Sequence, residues 1–359
     1  MNKFLTVLWI FILGVIIFIA SQYYKTTTPV TDDLQVIDPN NQQQTDTTIT
    51  DPTVKDLPKN TAKSYSQYFN EGKNYLEKNE LEKAIENFDM AAKLNPRSVE
   101  PLIALGNTHL LNNEPKDAKD AFLKAQTTDP YSKEAQIGMV RSYLNSREIE
   151  KAREIIWDLD ENDQYVKYYK AIVLVLYKNF EDAHDVFKEL SENSETSETI
   201  KRKAQYFLDA YKTFSYYAEG EELHLQTLLA KALTDSEEFE AAIPLLYDII
   251  QEKNNYRDAW IILGYAYLNT NKIPDAIDSF TQARDLDKDK PETLFFLGLS
   301  YYANNDTEKA IYYLEEASRQ GYQPEAEIDE RLGDLYLSQE NYKKAALKYE
   351  KTLAVNKDN

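Results

Sequence analysis

Apolar and small residues recur with helical spacing between residues 260 and 283, WIILGYAYLNTNKIPDAIDSFTQA. One helical face carries four residues at this spacing: Trp260, Leu263, Gly264 and Tyr267. A second face follows the polar residues 269–271 and consists of Ala276, Phe280 and Ala283. The stretch therefore predicts two short antiparallel helices joined by a tight turn, with small residues where the two backbones approach each other.

The same internal spacing, a small residue followed twelve positions later by alanine, recurs along the chain. The pairs are Gly72 and Ala84, Gly106 and Ala118, Val140 and Ala152, Ala171 and Ala183, Ala230 and Ala242, Gly264 and Ala276, Gly298 and Ala310, and Gly333 and Ala345. Their first members lie 34, 34, 31, 59, 34, 34 and 35 residues apart, so one interruption separates two groups of four. The recurrence predicts consecutive helix pairs that stack on each other.

The pattern Trp-x2-Leu-Gly-x2-Tyr followed by Ala-x3-Phe resembles the tetratricopeptide repeat (TPR), whose period is about 34 residues. The resemblance implies an all-α fold, an α-solenoid of helix-turn-helix repeats. It covers one array of four repeats at residues 61–197 and a second at residues 223–359. Residues 198–222 separate the arrays. Their apolar positions have helical spacing, which favours one inserted helix, with a degenerate ninth repeat as the alternative.

An almost uninterrupted apolar run occupies residues 4–20, FLTVLWIFILGVIIFIA. At about 1.5 Å per residue it reaches the lower limit for crossing a bilayer core. We predict a single transmembrane anchor rather than a cleaved signal peptide, because Phe18 stands where the cleavage pattern requires a small residue. The usual orientation of bacterial signal anchors predicts a cytoplasmic N-terminus and extracytoplasmic repeats, although Lys3 and Lys25 on the two sides leave the orientation open.

Residues 21–60 change in character, with nine Thr, four Pro, and neither Gly nor Glu. They show no helical or alternating apolar period. Such a segment buries too little apolar surface to offset its ordering entropy, so we predict a disordered linker between the anchor and the repeats.

The sequence shows no set of residues suited to catalysis, and we expect neither enzymatic activity nor a bound cofactor or metal. There is no Cys, no Gly-rich phosphate loop, and none of the three His has a second ligand at metal-binding spacing. His109 occupies a position where other repeats have Tyr, which favours a packing role. Paired acids such as Glu237 and Glu238 are typical of solvated helix surfaces. The formal charge of −20 disfavours nucleic acid as a partner.

The resemblance implies that first helices line a concave groove and that a protein or peptide binds there. Carried over by position, the groove presents Tyr165, Tyr168 and Ile172 in the fourth repeat, and Ile261, Tyr265, Phe295, Leu299 and Tyr302 in later ones. In the first three repeats the equivalent positions hold Lys73, Asn107 and Arg141, a polar-to-basic line suited to an acidic side chain or a chain terminus. Packing against the neighbouring repeat is the second interpretation of each aromatic residue.

Two functional hypotheses follow. The first is a membrane-tethered scaffold that holds protein partners in an extracytoplasmic bacterial envelope assembly or secretion system. The alternative is a cytoplasm-facing membrane receptor, similar to a co-chaperone adaptor, that collects client proteins. The fold supplies a platform in both cases, and the surface residues determine the partner. The sequence leaves the partner and the oligomeric state open.

Overall fold

The computed structural model describes residues 63–217, 221–288 and 290–357, and every regular element within these ranges is an α-helix. The first array contains α1 to α8: Tyr65–Glu77, Leu81–Leu94, Glu100–Leu111, Pro115–Thr128, Lys133–Asn145, Ile149–Trp157, Gln164–Leu176 and Phe180–Glu192. Helix α9 spans Glu198–Ser215. The second array contains α10 to α17: Glu222–Asp235, Phe239–Glu252, Arg257–Asn269, Ile273–Leu286, Pro291–Ala303, Thr307–Arg319, Glu325–Ser338 and Tyr342–Lys357.

The predicted anchor at residues 4–20 and the predicted linker at residues 21–60 lie outside the described residues. Among the helices from residue 63 onward, none combines the length and the apolar character that a membrane crossing requires.

Each repeat is a pair of antiparallel helices held together by a large side chain of the second helix, which is an aromatic ring in several repeats and Leu314 in the seventh. The alanine twelve positions after the small residue is buried in all eight repeats. The space above the small residue is filled from the second helix. A Cβ added to Gly264 would lie 2.8 Å from Phe280, and one added to Gly72 would lie 2.6 Å from Phe88. Glycine is required at these positions because the aromatic side chain occupies the volume of a larger residue.

The turn inside every repeat contains one residue with positive φ, seven positions after the small residue. The eight residues are Asn79, Asn113, Arg147, Lys178, Glu237, Asn271, Asn305 and Glu340. Asn tolerates this left-handed backbone better than most residues. Four of the eight are Asn, and this recurrence was present in the sequence as a marker of the turn.

Helix α9 packs as a first helix that has no second helix of its own. Phe207 of α9 stacks on Phe187 of α8, with ring centroids 4.0 Å apart. Its other side contacts α10, and just beyond the end of α9 the ring centroid of Tyr217 lies 4.8 Å from that of His224 in α10. Because one unpaired helix shifts the alternation of first and second helices, the second array continues on a different side of the solenoid.

The shift brings the two arrays into direct contact. Helix α11, the second helix of the fifth repeat, lies against α5 and α7, which are first helices of the third and fourth repeats. One apolar cluster therefore runs without a break from Val140 in the third repeat to Leu297 in the seventh.

Candidate partner-binding surface

Three positions of every first helix share one face: the residues three before, one after and four after the small residue. Several neighbouring first helices contact each other, among them α3 with α5 and α10 with α12, so these faces lie on the inner side of the curved array. We call them the inner positions. Eleven partner-binding residues are predicted for this side of the array. In the structure some of them are buried and others are accessible.

In the fourth repeat the inner positions are buried. Tyr168 is 1% exposed and Ile172 is 0% exposed, because α9 and the second array cover α7. Tyr165 is half-buried beside them. The ring of Tyr168 packs edge-on against Phe187 and Phe207. Tyr168 and Ile172 are therefore core residues, and the packing interpretation holds for them instead of contact with a partner.

Phe295 in the seventh repeat is also buried, at 1% exposure. Its ring stacks on Tyr322, with centroids 4.2 Å apart. This stacking fixes the connection between α15 and α16. The position is therefore structural, although it was predicted as part of the binding surface.

A polar network joins the arrays where the middle of the first groove would open. Glu238, at the start of α11, is 6% exposed. Its carboxylate accepts hydrogen bonds from the Tyr169 hydroxyl at 3.2 Å and from Lys203 Nζ at 3.0 Å. Burial, followed by the charge of Glu238, raises the pKa of Tyr169 well above its usual value. Glu238 was assigned to a solvated surface from its sequence, and the structure corrects that assignment.

The same interface continues through the turn of the third repeat. Arg147 donates to the Tyr267 hydroxyl at 2.9 Å, and its guanidinium lies 5.3 Å from the ring centroid of Tyr247. Lys272 Nζ donates to Asn145 Oδ1 at 3.3 Å. We call this set of contacts between the second array and the preceding helices the clasp: Asn145, Arg147, Tyr169, Lys203, Glu238, Tyr267 and Lys272. Its residues are far apart in sequence, so no local sequence motif predicts it.

The predicted polar-to-basic line is only partly assembled. Arg141 donates to Asn107 Oδ1 at 3.2 Å. Burial acts to lower the pKa of Arg141, but Tyr169, Glu240 and Glu238 raise it overall. The acidic groups close to Arg141 thus come from the second array of the same chain. Lys73 is separate and exposed, with Nζ 4.9 Å from the ring centroid of Phe69.

Apart from Phe295, the inner positions of the last three repeats remain accessible. We call this surface the distal groove, formed by Ile261, Tyr265, Leu268, Leu299, Tyr302, Glu330, Asp334 and Leu337. Tyr302 is 42% exposed and Leu337 is 48% exposed, whereas the others are half-buried. The ring centroids of Tyr265 and Phe296 are 5.8 Å apart, and this contact joins α12 to α14. The groove has an apolar floor in two repeats and carboxylates in the third.

One group of side chains has the composition of a metal site. Nδ1 of His109 lies 2.7 Å from Glu114, and Asp117 completes a set whose ligand atoms lie within 4.8 Å of one another. These residues occupy the turn of the second repeat, and Asn112 also donates to Glu114 at 3.0 Å. The His109 ring therefore has an acidic hydrogen-bond partner at the position where other repeats have Tyr.

Helix pairs that stack with their first helices on one inner side define a helical repeat protein of the α-solenoid class. A family profile described as tetratricopeptide repeat matches residues 69–133, 227–291 and 295–358, together more than half of the chain. The chain belongs to the tetratricopeptide repeat family, which confirms the family resemblance. Proteins of this kind serve as scaffolds for protein–protein interaction.

The solved structures include a tetratricopeptide repeat protein from Parabacteroides merdae ATCC 43184. It shares 16% identity with this chain, and the alignment covers 77% of this chain and 100% of that one at a TM-score of 0.35. No curated protein matches the chain.

Proposed function

We propose that this protein is a membrane-tethered scaffold that holds a partner protein in the distal groove. The observation that carries the proposal is the contrast in exposure along the inner positions: Tyr168 and Ile172 are buried, whereas Tyr302 and Leu337 are open. An exposed apolar strip along the concave side of helical repeats suits a helix or an extended segment of another protein.

The partner is expected to bury the floor of the groove. Tyr265 and Tyr302 present large rings, and Leu299 lies one helical turn from Tyr302 on the same face. Aromatic residues in such positions contribute strongly to binding because they bury a large area with few rotatable bonds. The proposed contacts are therefore Ile261, Tyr265, Leu299 and Tyr302 from the predicted set, with Leu268 and Leu337 added from the structure.

Site-specific photo-crosslinking in cells tests the groove. A crosslinking amino acid at position 302 should capture a discrete protein product, whereas one at position 312 should not. Tyr312 is a matched control because it is exposed on α15, a second helix away from the groove. Equal capture at the two positions, or capture at 312 alone, would remove the groove assignment.

The tether rests on the apolar run at residues 4–20, and the repeats are proposed to be extracytoplasmic, in an envelope assembly or secretion system. The cytoplasm-facing receptor remains the second candidate. A tag after Asn359 separates them, because external protease acting on residues 21–60 would release the tagged array from intact cells only in the first case. Where an outer membrane is present, it is permeabilised first. Protection that lasts until the inner membrane is opened favours the receptor.

A further inference from the structure

The distal groove differs in charge from the first helices at the N-terminal end. Helices α12, α14 and α16 carry seven acidic and two basic residues, whereas α1, α3 and α5 carry four acidic and three basic residues. Glu292 and Glu327 extend the inner faces of α14 and α16 by one turn, since each lies three positions before an inner position. Glu330 and Asp334 are inner positions themselves. Acidic side chains of α14 and α16 therefore border the apolar floor of the distal groove.

At the start of this surface, one carboxylate has an uncharged hydrogen-bond donor, and another has a buried oxygen that lacks a donor among the described residues. Glu327 accepts a hydrogen bond from the Tyr322 hydroxyl at 3.2 Å. Burial raises the pKa of Glu327, opposed by this hydrogen bond and by nearby Arg331. One oxygen of Glu292 is buried and forms no hydrogen bond within the part of the chain that the structure describes. Glu292 as a whole is half-buried, so its negative charge lies near the solvent-accessible part of the groove.

The other end of the surface has the same character. Asp334 accepts a hydrogen bond from the Tyr349 hydroxyl at 2.7 Å. This hydrogen bond, burial, and the charges of Asp334 and Glu330 raise the pKa of Tyr349 to about 12. The exposed ring of Tyr302 and the carboxylates of Glu330 and Asp334 thus occupy inner positions of successive first helices, an arrangement that suits a lysine or arginine whose stem packs on an aromatic ring.

We propose that the distal groove selects a partner segment that is amphipathic and basic, with apolar side chains on the floor and Lys or Arg side chains against Glu292, Glu330 and Asp334. This inference rests on the proposed function and adds the chemistry of the partner. Apolar contact supplies affinity, whereas complementary charge supplies discrimination and faster association. An acidic segment of the same shape is rejected because it would bring like charges together in a partly desolvated groove.

Two synthetic helical peptides with one apolar pattern test the selection. One has lysine at every polar position and the other has glutamate, and each is titrated against the full chain in detergent by fluorescence anisotropy. The lysine peptide should bind, with affinity that falls as salt is raised, and the glutamate peptide should not. The triple variant Glu292→Gln, Glu330→Gln, Asp334→Asn should bind the lysine peptide about tenfold more weakly.

A charge-matched control separates the groove from the overall acidity of the chain. The variant Glu181→Gln, Glu192→Gln, Glu195→Gln removes the same three charges from exposed positions on and after α8. It should bind the lysine peptide as the unmodified chain does. Equal weakening by the two triple variants would show non-specific attraction and overturn the inference.

The remaining outcomes distinguish this inference from the proposed function. If both peptides bind equally and Tyr302→Ala weakens both, selection by charge is wrong while the groove remains the binding surface. If neither peptide binds, or if Tyr302→Ala changes nothing, both proposals fail.

A second copy of this chain is the competing occupant. Helix α17 exposes Lys343, Lys344 and Leu347, so it is a basic helix with a free apolar residue. Sedimentation at rising concentration would then show dimers that the groove triple variant abolishes. That result would replace the external partner by self-association and overturn the inference.

Discussion

The middle and the end of this solenoid present equivalent positions in opposite states. Ile172 and Val175 in the fourth repeat lie at the same places in the repeat as Leu299 and Tyr302 in the seventh. In the fourth repeat this face is covered by α9 and the second array. In the seventh repeat, Leu299 and Tyr302 of the same face are accessible to solvent, whereas Phe295 is buried. The difference shows that the place of a residue in the repeat does not by itself make it available for binding. Availability also depends on whether other helices of the chain cover it.

The cause is the single helix α9. A solenoid with an even number of helices keeps all first helices on one side, and its groove stays open along its whole length. The extra helix turns α11 toward the first array and places Glu238 and Glu240 beside Arg141. The first array thus receives acidic groups from its own chain, and the second array keeps its groove for another molecule.

The largest expected effect separates two tyrosines that were both predicted to bind a partner. Tyr168→Ala should lower the free energy of unfolding by about 3–5 kcal/mol, because it empties a buried ring site. Tyr302→Ala should change it by less than about 1 kcal/mol, because Tyr302 is largely exposed, and should weaken partner binding instead. Urea denaturation followed by circular dichroism measures both. Similar losses for the two variants would contradict the division into a closed and an open region.

A smaller effect is expected from the clasp. Glu238→Ala removes the acceptor of Tyr169 and Lys203 and leaves both donors unpaired, so it should cost roughly 2–3 kcal/mol of unfolding free energy. Glu330→Ala is the same substitution in the distal groove. Its free energy of unfolding should stay within about 0.5 kcal/mol of that of the unmodified chain.

The clasp variant also has a structural readout. Hydrogen exchange should quicken in α11 and in the turn that contains Arg147, since these segments meet across the interface. Unchanged exchange there would show that the apolar cluster holds the arrays together without the clasp.

The sequence predicted the helix pairs well, because the packing within a pair is local. Gly264 and Phe280 are sixteen residues apart, and the same pair of positions recurs in Gly72 and Phe88. Closure of the middle groove was missed, since it depends on contacts such as Arg147 with Tyr267, 120 residues away. No periodicity encodes such a contact. The unpaired α9 was visible as an apolar helical face, but its effect on the direction of the second array follows only from three-dimensional packing.

The smallest expected effect is a pH dependence in the open region. Because burial raises the pKa of Glu327 above its usual 4.5, the folded chain holds this proton more tightly than the unfolded chain does. Stability should therefore fall as pH rises from 4.5 through the raised value, and level off above it. Glu327→Gln should flatten that fall in urea titrations at a series of pH values, and an unchanged profile would contradict it.

The closed region contains a second carboxylate, that of Glu240, whose pKa shift has the same direction as that of Glu327. Burial raises the pKa of Glu240, opposed by Arg141. If the distal groove binds a basic segment, the lysine peptide should lower the pKa of Glu327 and so remove the contribution of Glu327 to the fall in stability with pH. The contribution of Glu240, which Glu240→Gln removes, should persist. Loss of both contributions would mean that the peptide also reaches the surroundings of Glu240 and Arg141, and the middle of the solenoid would then be a second binding surface.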